Sequence, residues 1–275
     1  MAFRYAARAQ GLKASAVREL LKLTAARDII TFGGGLPPNE SFPIPEISAA
    51  LGRVMQEYGP RALQYSTTEG WPALRIATVE RMRRRLGVEL RSDEILITTG
   101  SQQALDLTGK VFLDEGDVVF CESPTYLAAI SAFRAYHPRF IAVASDEEGM
   151  VVSELDRAIE RCDRRALIYV IPDFQNPSGR TWSLERRQQL LEVAAKWNLP
   201  VLEDAPYREL RFEGEDVPSL LALDTTGQVI FTSTFSGFPS LRAWSRRNSR
   251  SRSTVAGSRS AGERPTRKPR EPPFT

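Results

Sequence analysis

Asp204 stands at the mouth of a very apolar run, PVLEDAPY, residues 200–207. A carboxylate there is expensive to desolvate unless a cation or hydrogen-bond donors meet it, which makes it the most informative single residue of the chain. Three further groups sit just after similar apolar runs. TTGSQQAL, residues 98–105, is a small-residue turn opening into a helix; the free amides at that start and the hydroxyl of Ser101 would form an anion cradle suited to a phosphate. Gly and Ser also punctuate ordinary strand-to-helix turns, so both readings stand at this point. ESPTY places Tyr126 where its ring either stacks on a flat ligand or simply packs. PDFQNPSG places Asn176 and Pro177 in a turn, the amide either aimed at a ligand or capping the turn itself.

The elements that must position these groups are legible from their periodicity. Short runs rich in Ile and Val, namely EILITT (94–99), VVFCE (118–122), RFIAVA (139–144), ALIYVIPD (166–173), PVLEDAPY (200–207) and QVIFTSTF (228–235), read as buried strands. Between them SQQALDLTGKVFL, PTYLAAISAFRAYH, VSELDRAIERC and SLERRQQLLEVAAKWN read as covering helices, the last with Leu184, Leu190, Leu191, Ala194 and Ala195 on one side. Two helices precede the first strand: PEISAALGRVMQEYG, with Pro45 suited to its first turn and Gly59 to its end, and PALRIATVERMRRRLG. Alternating strand and helix imply an α/β domain with a mainly parallel sheet, helices on both faces and right-handed crossovers. Ligands of such sheets bind at the carboxyl ends of the strands, where all four groups fall.

Composition narrows the class. The chain has 275 residues, 42% of them hydrophobic, enough for a real core. No stretch approaches a membrane span, and the start MAFRYAARAQ lacks the apolar run of a secretory signal, so a cytoplasmic location is expected. Cys121 and Cys162 have no metal-like spacing and read as free thiols. His137, the single histidine, falls between a helix and a strand and reads as a surface or capping residue. The charge is uneven: residues 237–275 carry ten Lys or Arg against Glu263 and Glu271, whereas the first 236 residues carry 27 basic and 32 acidic groups. With almost no apolar residues, that Arg/Ser/Pro-rich tail is expected to be disordered.

The strand-end motifs and their order resemble those of fold-type I pyridoxal-phosphate (PLP) aminotransferases of class I/II. The resemblance runs continuously from ASAVRELLKLTAARDIITFGGGLPPNESFP to Phe235. It is closest to the subgroup of 2-aminoadipate, kynurenine and aromatic aminotransferases, where GGLP, QYSTTEGWPALR, TTGSQQALDL, SPTY, QNPSG and EDAPY all have counterparts. It implies transfer of an amino group between an amino acid and a 2-oxo acid, with pyridoxal 5'-phosphate as cofactor. By resemblance, Asp204 pairs with the pyridine nitrogen, Asn176 and Tyr207 bond the phenolic oxygen, and Tyr126 stacks on the ring. Ser101, Gln102 and the amide of Gly100 hold the phosphate, and Ser233, Ser236 and Arg242 belong to the same cofactor-binding set. Tyr65 would reach the phosphate of a neighbouring subunit, implying a homodimer. Gly34 resembles the glycine that lets substrate lie against the backbone, a flexible turn being its alternative. The implied organisation is an N-terminal substrate-side arm (1–45), an incomplete cofactor-binding large domain (46–236) and the basic tail (237–275), with the small C-terminal domain missing.

One position departs from the family. After QVIFTSTF the pattern calls for a Schiff-base lysine and then Pro-Gly-Leu-Arg; here Ser236 is followed by Gly237, and Pro239, Ser240, Leu241 and Arg242 arrive about two residues early. The lysine is both covalent anchor and proton-transferring base, so negligible transamination is expected. Lys13, Lys22, Lys110, Lys196 and Lys268 match no family lysine. A reading frame disturbed near residue 236 would account for the abrupt change of composition. The alternative is a catalytically silent cofactor-fold protein whose basic tail binds nucleic acid weakly and with strong salt dependence.

Overall fold

The computed structural model describes residues 3–6, 9, 35, 37 and 39–235. Two helices lead in, α1 (Ile44–Leu63) and α2 (Pro72–Leu86). A strand-and-helix succession follows: α3 (Ser101–Phe112), β1 (Val118–Glu122), α4 (Leu127–Phe133), β2 (Arg139–Val143), the small antiparallel pair β3 (Ser145–Asp146) and β4 (Gly149–Met150), α5 (Val152–Glu160), β5 (Arg165–Val170), α6 (Leu184–Trp197), β6 (Val201–Asp204), the short α7 (Leu220–Leu223) and β7 (Val229–Thr232). Five strands form one sheet in the order β2-β1-β5-β6-β7, every pair parallel. The expected α/β architecture is the observed one.

Both faces of the sheet are covered, which is why its strands are apolar throughout rather than alternating. Val118 and Phe120 of β1, Ile168 and Val170 of β5 and Val201 of β6 pack with Leu155 and Ile159 of α5 and Leu190 and Ala194 of α6. Their neighbours Val119, Cys121, Leu167, Tyr169 and Leu202 point the other way, onto Leu105 of α3 and Ala129, Ala132 and Phe133 of α4. Each fully buried side chain of this size contributes roughly 1.5–3 kcal/mol relative to exposure. Trp182, with no exposed surface, joins the first layer beside Gly149. At φ +105° Gly149 holds a backbone that side chains rarely adopt, and an added Cβ would lie 2.1 Å from the indole nitrogen.

Two local expectations need correction. The segment 94–99 is not a strand: a 3-10 turn, Ser92–Glu94, leads into extended but unladdered chain. Its apolar residues favour extension, but no described strand lies beside it to complete a ladder, and the amide of Ile97 donates instead to the carbonyl of Glu69. Gly59 does end the regular helical run of α1, as expected: its φ of 31° and ψ of −111° are non-helical, and a separate turn follows from Pro60 to Leu63. On α6 the buried stripe is Arg187, Leu190 and Ala194; Leu184 and Ala195 are exposed. Arg187 is buried there with a charged partner, described below.

Cys121 and Cys162 are buried free thiols. His137 is exposed, in the left-handed conformation at the end of the 3-10 turn Arg134–Tyr136, as a capping residue would be.

Candidate functional site

The carboxyl edge of the sheet gathers most of the anticipated residues. Asp204, the last residue of β6, is 3% exposed. One carboxylate oxygen accepts from the Tyr169 hydroxyl at 2.9 Å, the other from Thr232 Oγ1 at 3.0 Å. Burial pushes its carboxyl above the ordinary range, while the Tyr169 and Thr232 hydrogen bonds act in the opposite direction. Asp204 makes no ion pair with any described residue, so its cost of burial is met by hydroxyl donors alone.

The turns after β5 and β6 meet at the same edge. Asn176 Nδ2 donates to the Tyr207 hydroxyl at 3.0 Å. Gln175 ties the first turn to the segment before Tyr126, donating to the Pro124 carbonyl at 2.7 Å. Tyr126 precedes α4, and burial, then the proximity of Tyr207 and Asp204, raises the pKa of its phenol. Its ring therefore shares one neighbourhood with both. Gln102, in the first turn of α3, donates to Ala128 in the first turn of α4 at 3.5 Å, bringing the start of α3 to the same corner. Gly100, at φ +82°, ends the turn into that helix, and nothing lies within 4 Å of where its Cβ would stand. Ser101 follows as the first helical residue. The arrangement offers amide donors at a helix start, an aromatic ring, a paired amide and phenol, and a buried carboxylate with no cationic partner among the described residues. The Thr125 hydroxyl, buried beside Tyr126 and without a hydrogen-bond partner among the described residues, adds an unsatisfied polar atom there.

Ser233 follows β7 directly and is exposed at the same edge, since Thr232 pairs with Asp204 in the β6–β7 register. Tyr65 is not brought to this cluster: it lies in the turn after α1 and is 99% exposed, beside Tyr58, Arg61 and Trp71. Gly34, Ser236, Gly237 and Arg242 lie outside the described residues, as do Lys13, Lys22, Lys268 and the tail on which nucleic-acid binding would depend. Of the described lysines, Lys110 occupies the last turn of α3 and Lys196 the last turn of α6, where it pairs with Asp156 at 2.8 Å. Both helix ends lead into the amino ends of strands, the opposite edge from Asp204.

Several buried polar groups were not anticipated. Tyr169 could have been suspected, because a phenol inside a fully buried strand needs a partner for its hydroxyl. Glu122, at the end of β1, accepts from Trp182 Nε1 at 3.0 Å and the Ile171 amide at 3.2 Å; burial pushes its pKa up to about 7. Glu203 accepts from the amides of Leu220 and Leu221 at the start of α7 and is likewise pushed by burial to about 7. Asp173, fully buried, binds Arg187 at 2.9 Å, Arg208 at 2.9 Å and Arg211 at 3.4 Å, clamping the turn that carries Asn176 to α6 and to the turn after Tyr207. These partners lie far apart in sequence, and no local signal joins them.

Comparison with known proteins gives this geometry a lineage. Residues 27–244 match the family Aminotransferase class I and II. The chain is 43% identical over 236 residues to aromatic-amino-acid aminotransferase 1 of Thermococcus litoralis, covering 84% of this chain and 57% of that protein. It is 47% identical over 212 residues to 2-aminoadipate transaminase of Thermus thermophilus, covering 77% and 52%. Among solved structures, kynurenine aminotransferase of Pyrococcus horikoshii superposes with a TM-score of 0.79 at 43% identity, over 84% of this chain and 58% of that one. The chain thus spans little more than half the length of these relatives. On the matched residues and the shared fold, this chain belongs to the class I and II aminotransferase family.

Proposed function

We propose that the carboxyl edge of the sheet is a pyridoxal 5'-phosphate site and that the whole protein is a cytoplasmic, homodimeric aminotransferase acting on an amino acid and a 2-oxo acid. The observation that carries this reading is Asp204: a buried carboxylate at the end of β6, held by two hydroxyls, with no cationic partner among the described residues. A protonated ring nitrogen supplies that partner. Bound there, the cofactor provides an electron sink for the pair left when an amino acid gives up its α-proton. Asn176 and Tyr207, already bonded to each other, orient the ring through its phenolic oxygen. Tyr126 covers a ring face, and the amides at the start of α3 with Ser101 and Gln102 hold the phosphate. Ser233, exposed at the same edge, belongs to the cofactor-binding set, and the exposed Tyr65 serves a neighbouring subunit.

With Gly237 at the sequence position of the family's lysine and no described lysine at this edge, the reading includes negligible transamination by this polypeptide. Titration of the full chain with PLP, followed by absorbance and tryptophan fluorescence, tests the reading. Saturable one-site binding that Asp204→Ala weakens at least about tenfold supports it; no binding, or binding indifferent to Asp204, rejects it.

A further inference from the structure

We propose that Tyr169 is a positioning residue of this site: its hydroxyl, working as a pair with that of Thr232, fixes the orientation of the Asp204 carboxylate toward a cationic ring nitrogen. The proposal rests on the PLP reading above. Tyr169 comes from the middle of the sheet, on β5, with no exposed surface. Its ring is wedged edge-on against Phe133 of α4, with centroids 5.8 Å apart and planes at 78°. The hydroxyl donates to Asp204 Oδ2 and to no other described group. Thr232 reaches the other oxygen from β7, in direct register with Asp204. One donor on each oxygen, from the two strands flanking β6, removes the carboxylate's freedom to rotate. Each oxygen can accept more than one hydrogen bond, so capacity remains for a third donor.

The surroundings make these two bonds decisive. Among the described residues, the titratable groups that act on this cluster are Tyr126, Tyr207 and Glu122, none of them cationic. Burial favours the neutral acid, and the two hydroxyls are what favour the charged one. Thr232 also donates to the Glu203 carbonyl at 3.4 Å, whereas the Tyr169 hydroxyl is committed to Asp204. Tyr169 therefore carries the larger share of the positioning.

The test compares PLP with its 1-deaza analogue, in which carbon replaces the ring nitrogen, binding to the full chain and to its Tyr169→Phe variant. Phenylalanine keeps the packing against Phe133 and deletes only the donor. The expected result is a loss of about tenfold in PLP affinity, with deaza-analogue affinity unchanged and the visible circular dichroism of bound PLP altered. Equal affinity of variant and parent for PLP overturns the proposal, and so does an equal loss for both ligands, which marks a merely structural role. A parent chain that binds no PLP defeats the cofactor reading itself, a result distinct from either. If Tyr169→Phe does not fold, Thr232→Val reads the other oxygen, with the same selective loss expected and the same outcomes contradicting it.

Discussion

The side-chain amide of Asn176 donates to the phenolic oxygen of Tyr207 over 3.0 Å, joining the turn after β5 to the turn after β6, the strand that ends in Asp204. The bond fixes two groups that lie 31 residues apart in sequence. In the proposed site both then address one ring oxygen. Tyr207→Phe keeps the ring and deletes the link. It is expected to weaken PLP binding about tenfold while costing no more than about 1.5 kcal/mol of stability. Parallel cofactor titration and urea denaturation check this, and equal losses in binding and stability would point to packing alone.

Glu122 and Glu203 predict a pH dependence of folding. Burial raises each from the ordinary 4.5 to about 7. Each therefore binds its proton more tightly folded than unfolded, so stability falls as pH rises from about 4.5 to about 7 and levels off above. The loss is of order 3 kcal/mol for each group. Denaturation midpoints measured across that range should decline, and Glu122→Gln should remove roughly half of the slope. A midpoint that rises over this window contradicts the assignment.

Asp173 is the hub of a buried ion cluster and not a ligand group. Asp173→Asn leaves Arg187, which has no exposed surface, without its counter-ion. The expected cost is about 3–5 kcal/mol, because an uncompensated buried charge is left behind. Urea denaturation measures it directly. A loss under about 1 kcal/mol would mean that solvent reaches the cluster.

The proposed loss of the Schiff-base lysine, with Gly237 in its sequence position, gives a chemical prediction. PLP bound to this chain is not expected to be fixed covalently by borohydride, so unfolding after reduction should release it. Mass spectrometry of the reduced, denatured chain reads the outcome. A stoichiometric adduct on any lysine contradicts the view that none reaches the site.

Much of this architecture is legible in the sequence because both sheet faces are covered, which leaves continuous apolar strands and helices whose starts and stops carry their own signals. Gly87 closes α2 at φ 70°, and Ser183 caps α6 by accepting from the Arg186 amide. What stays hidden depends on partners remote in sequence. The residues 94–99 have the composition of a strand, yet a strand exists only with a neighbour, and composition does not supply one. The buried stripe of α6 includes Arg187, which turns inward to Asp173, a pairing across 14 residues that periodicity reads as a charge facing solvent. Asp204 announced itself by its cost, whereas its donors Tyr169 and Thr232 required the register of three strands.

The most direct measurement is the binding of PLP to the full chain beside its Asp204→Ala and Asp204→Glu variants, with circular dichroism confirming that each is folded. The account predicts one saturable site in the parent, at least about a tenfold loss with alanine, and partial recovery with glutamate, which keeps the charge but misplaces it. Binding of equal strength in all three, or none in a folded parent, would contradict it.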